Sequence, residues 1–439
     1  DFSLQADTLN EARLPAQWDL QSCIDYALEQ NITIRKNRVT AESTQIDVKT
    51  AKAALFPSLS FSTSQQVVNR PYQETSSRVS GSEIISSNSK TSYNGNYGLN
   101  ASWTIYNGSK RLKTLKQERL NNQVAELDVA TSENTIKESI AQIYIQILYA
   151  AESVRVNENT LQVSIAQRDR GQELLNAGSI AKSDFAQLEA QVSTDRYQLV
   201  TAQATLQDYK LQLKQLLELD GENEMNVYLP KLSDENVLAP LPAKKDVYVS
   251  ALAIRPEIEA SKLNVEASEL GIDIAKSSYF PTISLSAGIG TNHTSGSDFT
   301  FGEQVKNGWN NSIGLSVSVP IFNNRQTKSA VQKAKLQRET DMLSLLDEQK
   351  ALYKTIESLW LDANSAQQRY AAANEKLRST QISYDLISEQ FNLGMKNTVE
   401  LLTEKNNLLQ AQQEQLQAKY MAILNTQLLK FYQGDKLTL

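Results

Sequence analysis

The stretch AKAALFPSLSFS at residues 51–62 returns as AKSSYFPTISLS at residues 275–286, with Ala, Lys, Phe, Pro and two Ser at matching places 224 positions apart. Further out, YGLNASWTIYNG (97–108) aligns with IGLSVSVPIFNN (313–324), and LNAGSIAKSDF (175–185) with FNLGMKNTVEL (391–401), both at an offset of 216. Gly98 to Gly178 and Gly314 to Gly394 are both 80 residues, so the net length change falls between the FP elements and the next aligned block. The segments there, QETSSRVSGSEIISSNSK (73–90) and TNHTSGSDFTFGEQVKNG (291–308), are rich in Ser, Gly and Asn and read as surface loops, which tolerate insertion. Two copies of so long a period are not a solenoid of short units; they are two halves that must match in length.

Two periodicities fill these halves. Between Gly108 and Gly171 there are 62 residues, and between Pro320 and Gly394 there are 73, with neither Gly nor Pro. Each run reads as one very long helix, and about 68 residues at ~1.5 Å each would be on the order of 100 Å long. Apolar residues recur at helical spacing in Ile136, Ile140, Ile143 and Ile147, and in Leu343, Leu346 and Tyr353. These stripes are narrow, which suits seams between supercoiling neighbours. Around the FP elements the period is two: LSFST (59–63), Tyr97 to Ile105, ISLSAGIG (283–290) and Ile313 to Val319 alternate apolar residues with Ser, Gly, Asn or Thr. Four strands follow, apolar on one face and small or hydroxylic on the other. A solvated sheet would carry charge on its polar face, whereas this pattern suits the lumen of a narrow membrane barrel with lipid outside and Trp and Tyr near its rims.

Composition removes other classes. With 50 acidic and 44 basic residues in 439, the net charge is −6, and no basic patch offers itself to phosphates or to nucleic acid. The lone Cys23 sits in helix-like LQSCIDYALEQ and reads as a small buried hydrophobe. The sole histidine, His293, lies in loop-like TNHTSG, so neither a catalytic triad nor a histidine metal site is expected. Phosphate-loop and dinucleotide fingerprints are missing, no cofactor is implied, and the chain is not expected to be an enzyme. No run of 18 apolar residues marks a membrane helix. The start at DFSLQAD, without Met, fits removal of a targeting segment.

Four strands cannot close around a lumen, since membrane barrels need about eight, and an open edge in lipid strands backbone polar groups. The barrel must be shared between copies, with eight strands in a dimer or twelve in a trimer. The order of helix, FP-initiated hairpin with a long outer loop, long helix, Gly turn and shorter helix, repeated twice from WDLQSCIDYALEQNITI (18–34) to LNTQLLKFYQGD (424–435), resembles the TolC family of outer membrane efflux proteins. The resemblance implies a mixed, mainly α fold: a long-helix α-barrel plus a transmembrane β-barrel shared by a homotrimer, four strands per protomer, two internal repeats. It divides the chain into a first repeat (18–218), an equatorial linker segment (219–246) and a second repeat (247–433). Within these, 57–106 and 281–322 are barrel hairpins with outer loops, and 107–218 and 323–433 are periplasmic helices. The implied function is a channel-tunnel exporting small molecules or polypeptides, in the outer membrane of a Gram-negative bacterium and extending into the periplasm. The implied partners are the lipid bilayer, a periplasmic adaptor (membrane fusion) protein and an inner-membrane transporter.

The resemblance also carries a constriction onto this chain. Phe391 takes the place of a gating Tyr, Lys396 that of a gating Arg, and Glu400 that of a lining carboxylate. Thr403 stands where a second acid is expected, Asp184 is the matching carboxylate of the first repeat, and Ser183 precedes it. A Lys396 to Asp184 ion pair is the implied latch, and a ring of three Glu400 carboxylates would favour cations. The implied adaptor-docking tips are Ala177, Gly178 and Ser179 in one repeat, and Leu393, Gly394 and Met395 in the other. Drugs, metal ions and polypeptides all remain open as clients, although one His and four Met give no hint of a metal relay. The other reading is a soluble, elongated coiled-coil scaffold or adhesion protein whose Ser-rich hairpins mediate assembly.

Overall fold

The structure is a computed structural model that describes residues 15–72, 76–80, 83–87, 90–220, 225–234, 237–297 and 299–438, with backbone only for 76–80 and 83–87. In chain order its elements are α1 (Leu20–Gln30), α2 (Ile32–Ala53), β1 (Ser58–Asn69), β2 (Ser76–Ser80), β3 (Glu83–Ser87), β4 (Thr91–Asn107), α3 (Lys110–Asn176), α4 (Lys182–Leu216), α5 (Lys244–Ile254), α6 (Pro256–Ser277), β5 (Thr282–Thr294), α7 (Phe301–Asn307), β6 (Asn310–Ser318), α8 (Gln326–Asn392) and α9 (Thr398–Gln433). The two runs poor in Gly and Pro are single helices of 67 residues each. The other helices pair in length as well: α1 and α5 have 11 residues, α2 and α6 have 22, and α4 and α9 have 35 and 36. None of the described helices is long and apolar enough to cross a membrane.

The chain forms two compact units, 41–125 with 261–345, and 1–40 with 126–260 and 346–439. The first holds an antiparallel sheet in the order β1-β4-β5-β6, so that β1 and β6 are its edges. The strands outrun their sequence signal, with β1 reaching Asn69, β4 starting at Thr91 and β5 continuing to Thr294. Alternation in β4 holds up to Trp103, after which a bulge between Thr104 and Tyr106 sets Tyr106 opposite Ile283. Ile105, expected on the apolar face, is therefore displaced by Tyr106, because the extra residue of a bulge resets the two-residue period.

Both stretches expected to be loops carry structure. In 73–90, β2 pairs with β3 in a short ribbon, while 73–75, 81–82 and 88–89 lie outside the described residues. In 291–308, β5 continues and α7 follows. Thr300 caps α7 by accepting from the Glu303 N–H at 3.4 Å, and Glu303 answers by accepting from the Thr300 N–H at 2.8 Å. The two donors of a helix start are thus satisfied by a polar, loop-like sequence.

The hydrophobic core lies in the second unit. Trp18, Cys23, Ile34, Ile140, Tyr144, Ile147, Leu148, Leu213 and Leu217 are buried together. Cys23 is fully buried as expected, and burial pushes its thiol up to about 12. The stripe on α3 is packed at Ile136, Ile140 and Ile147, whereas Leu343, Leu346 and Tyr353 on α8 stay exposed in the single chain. The described part of 219–243 has no α-helix and is pinned to the helices of its unit. Val227 bridges to Trp18 in parallel, and the Gln367 side chain donates to the carbonyls of Val237 at 3.0 Å and Ala239 at 2.8 Å. Trp360 donates to the Pro242 carbonyl at 3.0 Å, and Lys419 pairs with Asp234 at 2.5 Å.

Candidate functional site: a two-faced sheet and two glycine tips

In the first unit, register sorts the sheet into two faces. Leu59, Phe61, Leu99, Ala101, Trp103, Leu285, Ala287, Ile289, Ile313, Leu315 and Val317 share one face by direct cross-strand pairing. Phe61 is 67% exposed, Leu315 65% and Ile313 82%, so this apolar face has no protein core against it. The opposite face carries Ser58, Ser60, Ser62, Asn96, Asn100, Ser102, Ser284, Ser286, Ser312 and Ser316. Its hydroxyls bond to one another and to the sheet, as between Ser58 and Ser102 at 2.9 Å and from Ser286 to the Gly314 carbonyl at 3.3 Å. No Asp, Glu, Lys or Arg occurs in any of the four strands.

Aromatic side chains gather at both ends of the apolar face. Tyr93, Tyr97, His293 and Phe301 form one cluster, with ring centroids 5.1–6.4 Å apart, and Trp309 is exposed nearby in sequence. Phe56, Trp103, Tyr106, Tyr279, Phe280 and Phe322 are exposed at the other end. Tyr97 and Tyr106 are nine residues apart on β4. At ~3.3 Å per residue this is about 30 Å, and a strand tilt of about 40° leaves roughly 23 Å, close to the ~25 Å apolar band of an outer-membrane barrel.

The second unit holds the two tips. Gly178 ends α3 with φ +70° and Gly394 ends α8 with φ +73°. Gly178 N–H donates to Leu175 at 2.9 Å and Ser179 N–H to Leu174 at 2.8 Å, and the second tip repeats this with Gly394 to Phe391 at 2.9 Å and Met395 to Gln390 at 2.8 Å. Both are paired-bond helix stops built on a left-handed residue. Ala177, Gly178 and Ser179 are exposed, as are Leu393, Gly394 and Met395, with Leu393 and Met395 each 70% exposed. The first tip is polar and the second apolar.

The expected constriction residues lie immediately after these turns. Asn397 caps α9 by accepting from the Glu400 N–H at 2.9 Å, and Glu400 accepts from the Asn397 N–H at 3.2 Å and from the Lys396 ammonium at 2.6 Å. The Lys396 hydrogen bond, then that of the Asn397 backbone, holds the Glu400 carboxyl below its usual range. Within one chain the ion-pair partner of Lys396 is Glu400, and Asp184 instead turns to its own helix start, accepting from the Ala181 N–H at 3.4 Å. Lys396 precedes the N-cap Asn397 by one residue, and the capping box holds the Glu400 carboxylate back toward the helix start, within its reach. Phe391 is buried at 3% exposure, Ser183 and Thr403 are exposed, and the Thr403 hydroxyl donates to the Val399 carbonyl at 2.8 Å.

One buried cluster escaped the sequence reading. Lys405 of α9 donates to Asp195 of α4 and to Ser164 of α3, and Ser164 donates to the same Asp195 oxygen. A signal for it was present, since Lys405 interrupts the stripe Leu401, Leu408 and Ala411, and Asp195 follows Leu188 and Val192 at the same spacing. Among the described residues no group of His, Cys, Asp and Glu could hold a metal ion.

Known proteins share this arrangement. The family described as Outer membrane efflux protein matches residues 23–218 and 247–434. The outer membrane efflux protein BepC of Brucella suis biovar 1 (strain 1330) is 26% identical over 294 residues, 66% of this chain and 61% of its own length. The outer membrane protein TolC of Escherichia coli (strain K12) is 24% identical over 341 residues, covering 74% of this chain and 66% of its own. The matched stretch thus spans a little under two thirds of both relatives. The crystal structure of CusC, described with its transmembrane channel formation, superposes with a TM-score of 0.81 at 18% identity, covering 96% of this chain and 94% of that one.

Proposed function

Because the chain belongs to the outer membrane efflux protein family and its place is the outer membrane, we propose that three copies close a channel-tunnel through which small molecules or polypeptides leave the cell. The observation that carries this reading is the sheet: apolar and exposed on one face, hydroxylic and uncharged on the other, with two open edges. In lipid such edges must be paired, and β6 of one copy against β1 of the next gives twelve strands from three sets of four. The division into a first repeat (18–218), a linker (219–246) and a second repeat (247–433) then has a mechanical meaning. Each repeat supplies one hairpin to the barrel and two long helices to the tunnel wall.

The sheet's polar face offers a passing solute hydroxyls and amides but no fixed charge, so it discriminates weakly by charge. Discrimination falls to the helical end, where Asp184, Lys396 and Glu400 are the charged members of the proposed constriction and the two glycine tips are the docking surface for an adaptor. With each Glu400 holding a Lys396, the three pairs sum to no charge, and the net charge of the ring falls to its Asp184 carboxylates. Energy for export would come from an inner-membrane transporter, the partner that the family resemblance implies.

The test is native mass in detergent and in plain buffer. A detergent-requiring assembly of three 49.0 kDa chains, about 147 kDa, is the expected result. A monodisperse monomer in plain buffer would overturn the reading in favour of a soluble scaffold.

A further inference from the structure

Ser164, Asp195 and Lys405 are 2%, 2% and 3% exposed, on three different helices. Asp195 also accepts from Gln191 at 2.9 Å through its other oxygen, so both carboxylate oxygens are occupied. Around them in sequence the seam is apolar, with Leu188, Val192, Leu401 and Leu408 all buried. Desolvation pulls the Lys405 ammonium below its ordinary range, and Asp195 partly offsets it. The other half of the molecule does not repeat the cluster. At the offset of 216 that separates Gly178 from Gly394, Asp195 corresponds to buried Ala411 and Lys405 to exposed Glu189.

A buried ion pair adds little net stability, because apolar residues of the same size serve as well. What it adds is a choice between two states. Packed and dry, the pair is satisfied in one register only, since moving α9 by a residue leaves a buried charge without its partner. Parted and wet, both charges are hydrated and the open arrangement carries no apolar penalty, unlike the leucine seam beside them. Intermediate arrangements are the costly ones.

We propose that Lys405, Asp195 and Ser164 form the closed-state latch of the tunnel's helical end, tying α9 to α3 and α4 until the helices part and water reaches the pair. The inference rests on the channel reading. It assigns the latch to a buried pair deeper in the helices than the Lys396 to Asp184 pair that the family resemblance implies.

The test is single-channel recording of the full-length assembly in planar bilayers, comparing wild type with Lys405→Met, Asp195→Asn and the double variant Lys405→Met/Asp195→Leu. Each single change leaves one buried charge alone in the closed state, and occupancy of the high-conductance state is expected to rise about ten-fold, equivalent to about 1.4 kcal/mol. The double change removes both charges and is expected to stay closed at least as firmly as wild type, with an undiminished melting temperature. Asp195→Asn keeps the side-chain shape and carries the test if Lys405→Met does not assemble. Single variants that melt lower yet gate as wild type would overturn the latch, since a static pin behaves that way. Failure of the wild type to form pores would overturn the channel reading, and the latch with it.

Discussion

Replacing the tip glycine Gly394 by Ala isolates one physical effect. Gly394 has φ +73°, and no heavy atom lies within 4 Å of where a Cβ would stand. The methyl group therefore meets nothing, and the entire cost is that of holding an L-residue in the left-handed region, roughly 1–2 kcal/mol. The lower entropy of an unfolded Ala returns part of it, leaving about 1 kcal/mol. The bonds from Gly394 to Phe391 and from Met395 to Gln390 are made by backbone, so the turn survives and merely opens more often. Amide exchange reads that opening, and about 1 kcal/mol corresponds to roughly five-fold faster exchange of the 394 and 395 amides. Asn at 394 is expected to fall between Gly and Ala, because its side chain tolerates this conformation. Gly178, with φ +70° and equally open surroundings, is expected to respond as Gly394 does. An Ala variant exchanging at the wild-type rate, or one tip responding while the other does not, would refute the argument that backbone strain alone sets the cost.

Three other perturbations separate the proposed roles. On the apolar face, Leu315→Arg is expected to cost about 2–4 kcal/mol in denaturant titration of the bilayer-inserted protein, and Ser316→Arg, one residue on and on the polar face, much less; equal costs would mean that lipid does not meet the Leu315 face. At the constriction, Lys396→Met bares Glu400 and is expected to shift the reversal potential toward cation selectivity, while Glu400→Gln bares Lys396 and shifts it toward anions; because the Glu400 carboxyl is held below its usual range, the pair is intact at neutral pH and is lost only as pH falls through that depressed value. At the far end of the sheet, a Cβ on Gly95 would stand 2.2 Å from His293 and 2.6 Å from Gln65, so Gly95→Ala must displace the imidazole from between Tyr93 and Tyr97 and is expected to lower the melting temperature, an effect reduced in a His293→Ala background, where only the flexible Gln65 amide is left to give way.

Much of this was legible because each signal was local and repeated. A two-residue period survives in LSFST and ISLSAGIG because successive side chains of each strand fall on opposite faces, one apolar and one hydroxylic. The 67-residue helices were legible because Gly and Pro, the residues that end helices, are nearly absent from them. What was hidden depended on pairing across distance. The β2 and β3 ribbon uses polar residues that also suit loops, and α7 is fixed by a Thr300 and Glu303 exchange that is only decisive once α7 packs on β5. Within one chain Lys396 pairs with Glu400, an i,i+4 carboxylate that was in plain view in the sequence. Lys405 and Asp195 stand on helices far apart in sequence, and only the packing of α9 on α4 shows them as a buried pair.

The pattern of matched and unmatched lengths in the two halves identifies where geometry is strict. Helices agree at 11, 22 and 67 residues and differ by one at 35 and 36; of the strands, β1 and β5 also differ by one at 12 and 13, whereas β4 and β6, with 17 and 9, part widely. One residue of helix is ~1.5 Å of wall height and ~100° of rotation, so an unmatched insertion would move a tip out of plane and turn its seam away from its neighbour. One residue at the outer end of a strand only lengthens a loop that ends in solvent, which costs little. A closed tunnel wall of the kind proposed would therefore preserve helix length and leave the outer strand ends free. A soluble scaffold would impose no such difference, because its hairpins, packed on a core, would be as constrained as its helices.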